Sequence, residues 1–392
     1  MSPQRPKPQS LLLIDYQGIK SIVEKLVSKS YKVYGPTLGE SAIVYNQIMD
    51  ADDLPRGYID RQDGGTYRLE KTDDDTLFSC VVGPVSWKRF LYPPEQKLVR
   101  ASSTVSGFEV EEVELDNAKI AFMGVRSCDL EAIRIQDKIL TEGQYTDRTY
   151  VANRSNLVII AVNCTRAGGT CFCDSMGAGP RARNGFDIAL TEVKIDGEWM
   201  YVAEIGTKTG KDNLKDIPDR NTDMDLEELV SSAMDKTVRQ MGRSLDTTDL
   251  PDILIGNFDH PHWEDVASRC LTCGNCTLVC PTCFCINIKD STALDGRTAV
   301  RLRKWDSCFT LDHSYIYGGS IRTSAAARYR QWITHKLGYW VDQFGMSGCV
   351  GCGRCITWCP VGIDITREAA AIRQSSRVNV TESDEAVVNG ES

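Results

Sequence analysis

Two cysteine runs of the same spacing carry the clearest chemistry in this sequence. Each has the form C-x2-C-x2-C-x3-C-P, and they extend from Cys270 to Pro281 and from Cys349 to Pro360. In two-cluster ferredoxins such a run gives three thiolates to one 4Fe–4S cubane and its fourth thiolate to the other. We therefore predict crossed ligation, with cluster 1 held by Cys270, Cys273, Cys276 and Cys359 and cluster 2 by Cys349, Cys352, Cys355 and Cys280.

Zinc is the alternative occupant of these runs. Zinc sites usually combine two separated C-x2-C pairs, or cysteine with histidine, so two complete ferredoxin runs favour iron–sulfur clusters. The 68 residues between the runs make this an expanded module, and they contain Cys283, Cys285 and Cys308. These three cysteines are either buried thiols or ligands in an arrangement that their spacing does not define.

The same insert is rich in cations. Basic groups near anionic clusters raise the cluster potentials, whereas the alternative role for these residues is a solvated helix face. The cations are Arg301, Arg303, Lys304, Arg322, Arg328, Arg330 and Lys336.

Four further cysteines form a second constellation in the N-terminal half. Glycines at positions 168, 169, 177 and 179 accompany them and would let backbone amides approach bound sulfides. We take a third iron–sulfur cluster as a hypothesis, against the alternative that these residues are small buried hydrophobic side chains. The four are Cys128, Cys164, Cys171 and Cys173, whereas Cys80 stands alone and is predicted to be structural or free.

Patterns of hydrophobicity indicate how these cysteines are positioned. Ile120–Val125 and Leu157–Val162 are short apolar runs typical of buried strands, and Cys128 and Cys164 follow them. Functional groups of an α/β sheet collect at the carboxyl ends of its strands, so we expect both cysteines at one edge. Further predicted elements are helices at Gln17–Ser30, Leu130–Leu140 (with Asp129 as N-cap) and Leu226–Met241, and a hairpin that turns at Asp196 and Gly197.

The predicted fold is α+β, with an N-terminal α/β domain followed by a mainly helical, expanded two-cluster ferredoxin-like domain. The predicted divisions are a flexible N-terminus (1–10), the α/β domain (11–206), a linker and helix (207–259), the dicluster domain (260–375) and an acidic flexible tail (376–392). The dicluster domain shows little strand signal. Its metal sites are expected to supply much of its stability, because apolar residues are sparse around the cysteines.

Composition and charge narrow the class of protein. The 392 residues, 42% hydrophobic and 25% charged, are ordinary for a globular chain of two or three domains. The net charge of −9 argues against non-specific nucleic-acid binding. No apolar run is long enough for membrane insertion and no secretory signal is visible, so we expect a cytoplasmic protein with reduced thiols.

Motifs for a substrate site are missing from the sequence. No G-x-G-x-x-G follows a predicted strand and no P-loop is present, so a flavin or nucleotide in this chain is unsupported. None of the four histidines pairs with a serine or cysteine nucleophile. We therefore predict no catalytic residue and a chain that conducts electrons.

The sequence resembles the iron–sulfur β subunit of soluble NAD(P)-linked nickel–iron hydrogenases of the sulfhydrogenase type. The equivalent subunit of anaerobic sulfite reductase belongs to the same family. The resemblance covers roughly residues 15–375. It rests on Ser127-Cys128-Asp129, Cys164 with Cys171-Phe172-Cys173, His260-Pro261 with Trp263, Cys280 to Cys285, Trp305-Asp306-Ser307-Cys308, Gly318-Gly319, and the run from Cys349 to Pro360.

The resemblance implies a cytoplasmic complex of an anaerobic organism. A flavoprotein subunit would exchange electrons with NAD(P)H, this chain would relay them, and a nickel–iron hydrogenase module of small and large subunits would use or supply them. The resemblance also favours the third cluster, because the four N-terminal cysteines match the family's. One alternative is the equivalent subunit of a sulfite reductase, with a sirohaem partner, or of another flavin-linked reductase; a zinc-stabilised scaffold is a more distant one.

Overall fold

The computed structural model describes residues 11–375 except residues 82, 113, 114, 116, 117 and 221. The predicted flexible N-terminus (1–10) and acidic tail (376–392) lie outside these described residues. The described chain is a mixed α/β structure with a sheet-based N-terminal half and a mainly helical C-terminal half, which confirms the predicted fold class. No helix within the described residues combines the length and apolar composition needed to cross a bilayer.

Strands dominate the first half of the described chain and helices the second. The strands are β1 (Leu11–Ile14), β2 (Lys32–Leu38), β3 (Ile43–Gln47), β4 (Tyr58–Asp63), β5 (Thr66–Lys71), β6 (Glu95–Thr104), β7 (Gly107–Glu112), β8 (Ile120–Arg126), β9 (Leu157–Val162), β10 (Ile188–Ile195), β11 (Glu198–Ile205), β12 (Ile286–Thr292), β13 (Thr298–Trp305), β14 (Tyr315–Ile316) and β15 (Gly319–Ser320). The helices are α1 (Tyr16–Ser28), α2 (Lys88–Leu91), α3 (Ser127–Leu140), α4 (Arg148–Ser155), α5 (Lys208–Leu214), α6 (Leu226–Arg239), α7 (Leu250–Gly256), α8 (His262–Arg269), α9 (Asn275–Leu278), α10 (Ala325–Thr334), α11 (Trp340–Phe344) and α12 (Arg354–Thr357). A 3-10 helix covers Ala51–Asp53, a π-helical turn covers His335–Tyr339, and residues 365–375 are helical.

A seven-stranded sheet in the order β1-β11-β10-β9-β8-β2-β3 forms the N-terminal half. The four central strands β2, β8, β9 and β10 pair in parallel, and the outer strands pair antiparallel. Strands β8 and β9 are buried along almost their whole length, as expected for a sheet that is covered on both faces. Helices α1 and α5 cover one face, and α2, α3 and α4 cover the other.

The parallel pairing of β8 with β9 confirms the expectation about Cys128 and Cys164. Both cysteines lie just beyond the carboxyl ends of these neighbouring strands, and therefore at the same edge of the sheet. The prediction that Asp129 caps the following helix is wrong. Helix α3 begins at Ser127, and Asp129 is a buried residue of its first turn that binds Arg354 instead.

The segment predicted as a linker begins with a helix. Residues 208–225 have no apolar periodicity, yet α5 forms because the Thr207 side chain accepts a hydrogen bond from the Gly210 amide at 3.1 Å. Leu214 and Ile217 are buried in the same apolar cluster as α1. A short helix held by its cap and by two buried side chains leaves little periodic signal in the sequence.

Strands also occur where the sequence suggested few. The insert between the cysteine runs forms the hairpin β12–β13, which joins β6 and β7 of the first half in a sheet of order β12-β13-β6-β7. The signal is weak because most side chains of β12 are exposed and polar. The predicted division at residue 260 stays a prediction, and this sheet takes strands from both sides of it.

The second cysteine run is locked onto the first half by close backbone contact. A Cβ atom at Gly353 would lie 2.4 Å from the carbonyl oxygen of Thr170, and one at Gly351 would lie 2.5 Å from that of Phe172. The amide of Phe172 also donates to the Gly351 carbonyl at 2.9 Å. Both glycines also have positive φ angles, which residues with a Cβ atom rarely adopt. Any other residue at either site would therefore be strained in its backbone and would clash with the first half.

We predict that Gly353→Ala destabilises the protein more than Gly345→Ala does. Both glycines have φ near +70°, which gives each substitution a similar backbone penalty of about 1 kcal/mol, but a Cβ at Gly345 meets no atom within 4 Å. The clash at Gly353 should add about 1–3 kcal/mol. Urea unfolding of the anaerobically purified chain, followed by circular dichroism, measures both losses. Equal losses would show that the contact with Thr170 relaxes freely.

Candidate metal centres

Fifteen of the sixteen cysteines in the sequence lie beside other cysteines, and Cys80 is the exception: its thiol contacts the Tyr58 carbonyl at 3.1 Å. We divide the fifteen into four sulfur groups. Group 1 is Cys270, Cys273, Cys276 and Cys359; group 2 is Cys349, Cys352, Cys355 and Cys280; group 3 is Cys128, Cys164, Cys171 and Cys173; and group 4 is Cys283, Cys285 and Cys308.

The two cysteine runs adopt the same local conformation. In the first run, Thr272 and Gly274 have positive φ angles, and the short helix α9 follows. In the second run, Gly351 and Gly353 occupy the equivalent positions, and α12 follows. Each loop turns one backbone amide onto its first cysteine, so that Thr272 N donates to Cys270 Sγ and Gly351 N to Cys349 Sγ, both at 3.4 Å. Such N–H donors stabilise thiolates that bind metal.

Group 1 combines the first three cysteines of run one with the last cysteine of run two. Burial raises the pKa of the Cys276 thiol well above its usual value, and the adjacent Cys270 and Cys359 raise it further. The Ile363 amide donates to Cys359 Sγ at 3.3 Å. Thiols with raised pKa values are protonated in the metal-free protein at neutral pH, so metal binding there would release protons.

A cavity beside group 1 offers space and donors for a bound group. About 420 Å³ of empty space, part of it open to solvent, is lined by all four cysteines of the group and by Phe309, Tyr329 and Trp332. The Tyr329 hydroxyl and the Trp332 indole Nε1 are buried and have no hydrogen-bond partner among the described residues. Buried donors normally have an acceptor, so these two atoms suit a cavity that holds sulfides or thiolates.

Group 2 has the reciprocal composition. Burial raises the pKa of Cys355 well above its usual value, and the neighbours Cys349, Cys352 and Cys280 add to this. Cys280 thus lies beside the run that follows after 68 residues, and beside Cys276 of its own run, while Cys359 lies beside the earlier run. Cys276 also lies near Cys355, so the two groups are adjacent.

The spacing of the sulfur atoms does not suit single zinc ions. Four thiolates around one zinc at about 2.3 Å lie about 3.8 Å apart. Within the described residues, the one set of three or more potential ligand atoms all within 4.8 Å of one another is His262, Asp265 and Glu368. There Arg269 already pairs with Glu368 at 3.1 Å. No set of three described cysteine sulfur atoms meets this 4.8 Å limit, so the cysteine groups are more open than a mononuclear site.

Group 3 lies at the edge of the seven-stranded sheet. Burial raises the pKa of the Cys173 thiol well above its usual value, and the nearby Cys171 and Cys164 contribute in the same direction. Cys128, the second residue of α3, lies next to Cys173. A Cβ at Gly179 would lie 2.8 Å from Cys173 Sγ, so the glycine-rich loop comes as close to the sulfur atoms as its sequence predicts.

Buried cations face these sulfur atoms: the sequence named Lys336 as a candidate, but not Arg126 or Arg354. Arg126 Nη1 lies 3.8 Å from Cys164 Sγ, and the fully buried Arg354 pairs with Asp129 at 2.8 Å beside Cys352. The sequence contains these arginines, but it does not reveal their burial or the orientation of their side chains, which depend on tertiary packing. Their positive charge would offset the negative charge of thiolate-ligated clusters.

Lys336 makes the most direct of these contacts. Its ammonium donates to Cys280 Sγ at 3.3 Å and to Thr282 Oγ1 and the Gly348 carbonyl at 3.0 Å. Burial alone would lower the pKa of Lys336, but Cys280 and its neighbours outweigh this and the pKa lies well above its usual value. The π-helical turn His335–Tyr339 carries Lys336, and such turns recur at functional sites.

Comparisons with known proteins identify a dicluster domain in the same part of the chain. The family of 4Fe-4S dicluster domains matches residues 269–363, which contain groups 1, 2 and 4. The chain is 32% identical to the sulfhydrogenase 2 subunit beta of Pyrococcus furiosus over 329 residues, or 82% of this chain and 93% of that protein. No solved structure gives a significant match.

We predict that Lys336→Met lowers the midpoint potential of one iron–sulfur cluster. The ammonium favours the more negative, reduced state of a cluster at group 2, and a charged hydrogen bond of about 1.4 kcal/mol corresponds to about 60 mV for one electron. Redox titration monitored by EPR measures the shift. Lys25→Met is the matched control, because Lys25 pairs with Asp216 rather than with a cysteine. Unchanged potentials in the Lys336 variant would contradict this role.

Proposed function

We propose that this chain, which belongs to the family of sulfhydrogenase β subunits, relays electrons through iron–sulfur clusters inside an oxidoreductase complex. The observation that supports the proposal is the position of Cys359 beside Cys276 of the first run and of Cys280 beside Cys355 of the second. Crossed loops hold two clusters close together, as single-electron transfer requires. Such clusters accept and release one electron at a time when bound.

The proposed ligands follow the first three sulfur groups. Cys270, Cys273, Cys276 and Cys359 hold cluster 1, and Cys349, Cys352, Cys355 and Cys280 hold cluster 2. Cys128, Cys164, Cys171 and Cys173 hold a third cluster. The third assignment is supported by the burial of all four thiols and by the position of Arg126 beside Cys164. No flavin or nucleotide is included for this chain.

The contacts between the groups support an order for the relay. Cys352 of group 2 lies beside Cys128 and Cys173 of group 3, and Cys355 of group 2 lies beside Cys276 of group 1. Group 2 therefore lies between the other two. Group 3 is buried, whereas Cys273 of group 1 is exposed, so a redox partner can approach group 1 from solvent.

The partners in this proposal are a flavoprotein that reacts with NAD(P)H and a nickel–iron hydrogenase module. The similarity to a subunit of sulfhydrogenase 2 supports the hydrogenase side. This chain contributes cysteine ligands, buried cations and docking surfaces, and it supplies no catalytic residue of its own. Purification of the native complex with a sirohaem protein in place of a hydrogenase would overturn the choice of partner but leave the relay itself intact.

Crossed ligation predicts which cluster each cysteine variant damages. Cys280→Ala should lose or convert the same cluster as Cys355→Ala, because both residues belong to group 2. It should spare the cluster that Cys276→Ala damages, although Cys276 is its neighbour in sequence. EPR of anaerobically reduced variants resolves the two signals. If Cys280→Ala instead removes the signal that Cys276→Ala removes, each run holds its own cluster.

The relay role predicts that a damaged cluster interrupts electron transfer between NAD(P)H oxidation and hydrogen evolution in the intact complex. Cys359→Ala should reduce NAD(P)H-linked hydrogen evolution by at least about tenfold, because cluster 1 loses a ligand. NAD(P)H-dependent dye reduction and dye-dependent hydrogen evolution should remain, because each uses one partner alone. The matched control is Cys80→Ala, which should leave all three rates unchanged. Full coupling in a Cys359 variant that lacks cluster 1 would overturn the proposal.

A further inference from the structure

The hairpin β12–β13 brings distant cysteines of group 4 together. Its antiparallel register pairs Ile286 with Trp305, so the residues just outside this pair face one another at the open end of the hairpin. The Asp306 amide donates to the Cys285 carbonyl at 2.9 Å and extends the ladder by one bond. Cys285 and Cys308 are therefore held close by regular strand pairing.

The thiols of this region form a continuous line of contacts. Cys285 lies beside Cys308, and Cys283 lies beside Cys285. All three are partly buried. Three sulfur atoms from two separate segments converge here, and neither ferredoxin run uses them.

A histidine adds a fourth donor to the three thiols. The His313 ring lies beside the Cys285 thiol. Its Nδ1 lies 3.4 Å from Asp306 Oδ2, while Asp306 Oδ1 accepts from the Ser307 amide at 2.7 Å and the Thr310 hydroxyl at 2.9 Å. Histidines that bind metal characteristically use a carboxylate on the second ring nitrogen to fix their orientation. This arrangement leaves Nε2 of His313 as the nitrogen available to a metal.

The same four-residue sequence occurs at group 3 and at group 4. Thr-Cys-Phe-Cys covers residues 170–173 and again residues 282–285. Both threonines bind the second cysteine run or the residue before it: the Thr170 and Thr357 hydroxyls lie 2.7 Å apart, and the Thr282 hydroxyl donates to the Gly348 carbonyl at 2.7 Å. In each case a cysteine that follows a strand completes the set, Cys128 after β8 and Cys308 after β13.

Positive charge is also concentrated at group 4. The buried Lys88 ammonium donates to the carbonyls of Cys280 and Cys283 at 2.9 Å and lies 3.9 Å above the Trp305 ring. Lys336 faces the same region and lies near Cys283 and Cys308. Two buried lysine side chains at this position suit an anionic centre, which would stabilise their charged forms.

We propose that Cys283, Cys285, Cys308 and His313 bind an iron–sulfur cluster in addition to the three assigned above. The ligands are three thiolates and the Nε2 nitrogen of His313. Cys3His sites also bind zinc, but these donor atoms are not all within 4.8 Å of one another, as a single ion would hold them. Cys283 lies beside Cys280 of group 2 and Cys308 beside Cys276 of group 1, so this centre adjoins both ferredoxin clusters.

Metal and sulfide analysis of the anaerobically purified full chain tests the proposal. The wild-type chain should contain more iron and sulfide than the about twelve atoms of each that three cubanes account for. Cys308→Ala should lose about two to four irons with a matching amount of sulfide, and Cys80→Ala should lose none. The EPR signals that Cys276→Ala and Cys355→Ala remove should persist in the Cys308 variant, which shows that it still folds.

Histidine ligation has a readout of its own. With 15N-labelled histidine, pulsed EPR of the reduced chain should detect a nitrogen coupled to a cluster, and His313→Ala should abolish the coupling. His335→Ala is the matched control, because His335 also lies near Cys285 but packs against the Trp340 ring. His313→Cys should retain the iron without the nitrogen coupling.

Three outcomes would overturn this inference. They are equal iron content in the wild-type and Cys308→Ala chains, stoichiometric zinc that disappears in Cys308→Ala, and nitrogen coupling that survives in His313→Ala but disappears in His335→Ala. Each of them leaves the relay through clusters 1 to 3 untouched, because that relay is tested by variants of Cys280 and Cys359.

Discussion

The burial of negative charge is the constraint on which the cysteine-rich region depends. Thiolate-ligated clusters are anionic, and an anion inside a protein is costly unless cations or N–H donors surround it. The chain provides both. Lys336 reaches Cys280 and Arg126 reaches Cys164, while backbone amides reach the first cysteine of each run. If these thiols were only small hydrophobic side chains, they would not lower the free-energy cost of burying the cations beside them.

The same constraint explains why the two halves of the chain interlock. Arg354 belongs to the second cysteine run, but its carboxylate partner, Asp129, follows Cys128 at the edge of the N-terminal sheet. The ion pair therefore neutralises a buried charge and fixes group 2 against group 3. The glycines at 351 and 353 allow the backbones to approach until no side chain fits between them. Strand β13 adds a second connection by pairing with β6.

The features that the sequence predicts correctly are those that a short stretch of residues determines by itself. The two ferredoxin runs are recognisable because three of the cysteines in each lie within seven consecutive residues. Strands β8 and β9 are recognisable because they are continuous apolar segments. The partner of Asp129, the direct contact of Lys336 with Cys280 and the meeting of Cys285 with Cys308 were not predictable in this way. Each depends on a contact between segments far apart in sequence, made by a buried ion pair, a π-helical turn or a hairpin whose exposed strand is mostly polar. The sequence marked the three cysteines of group 4 as either buried thiols or ligands. The repeated Thr-Cys-Phe-Cys becomes informative once its copies are seen to contact the second run and the residue before it.

The uneven distribution of cations gives the proposed relay a centre. Group 2 borders groups 1, 3 and 4, and it receives the direct ammonium contact from Lys336, while the charge of nearby Arg354 is balanced by Asp129. Group 1 has a more distant cation, Arg328, and its cavity offers the neutral donors of Tyr329 and Trp332. A cluster beside a buried cation is easier to reduce than one beside neutral donors. In the proposed relay, group 2 would therefore hold an electron more favourably than group 1, and its neighbours would be the routes by which the electron enters and leaves.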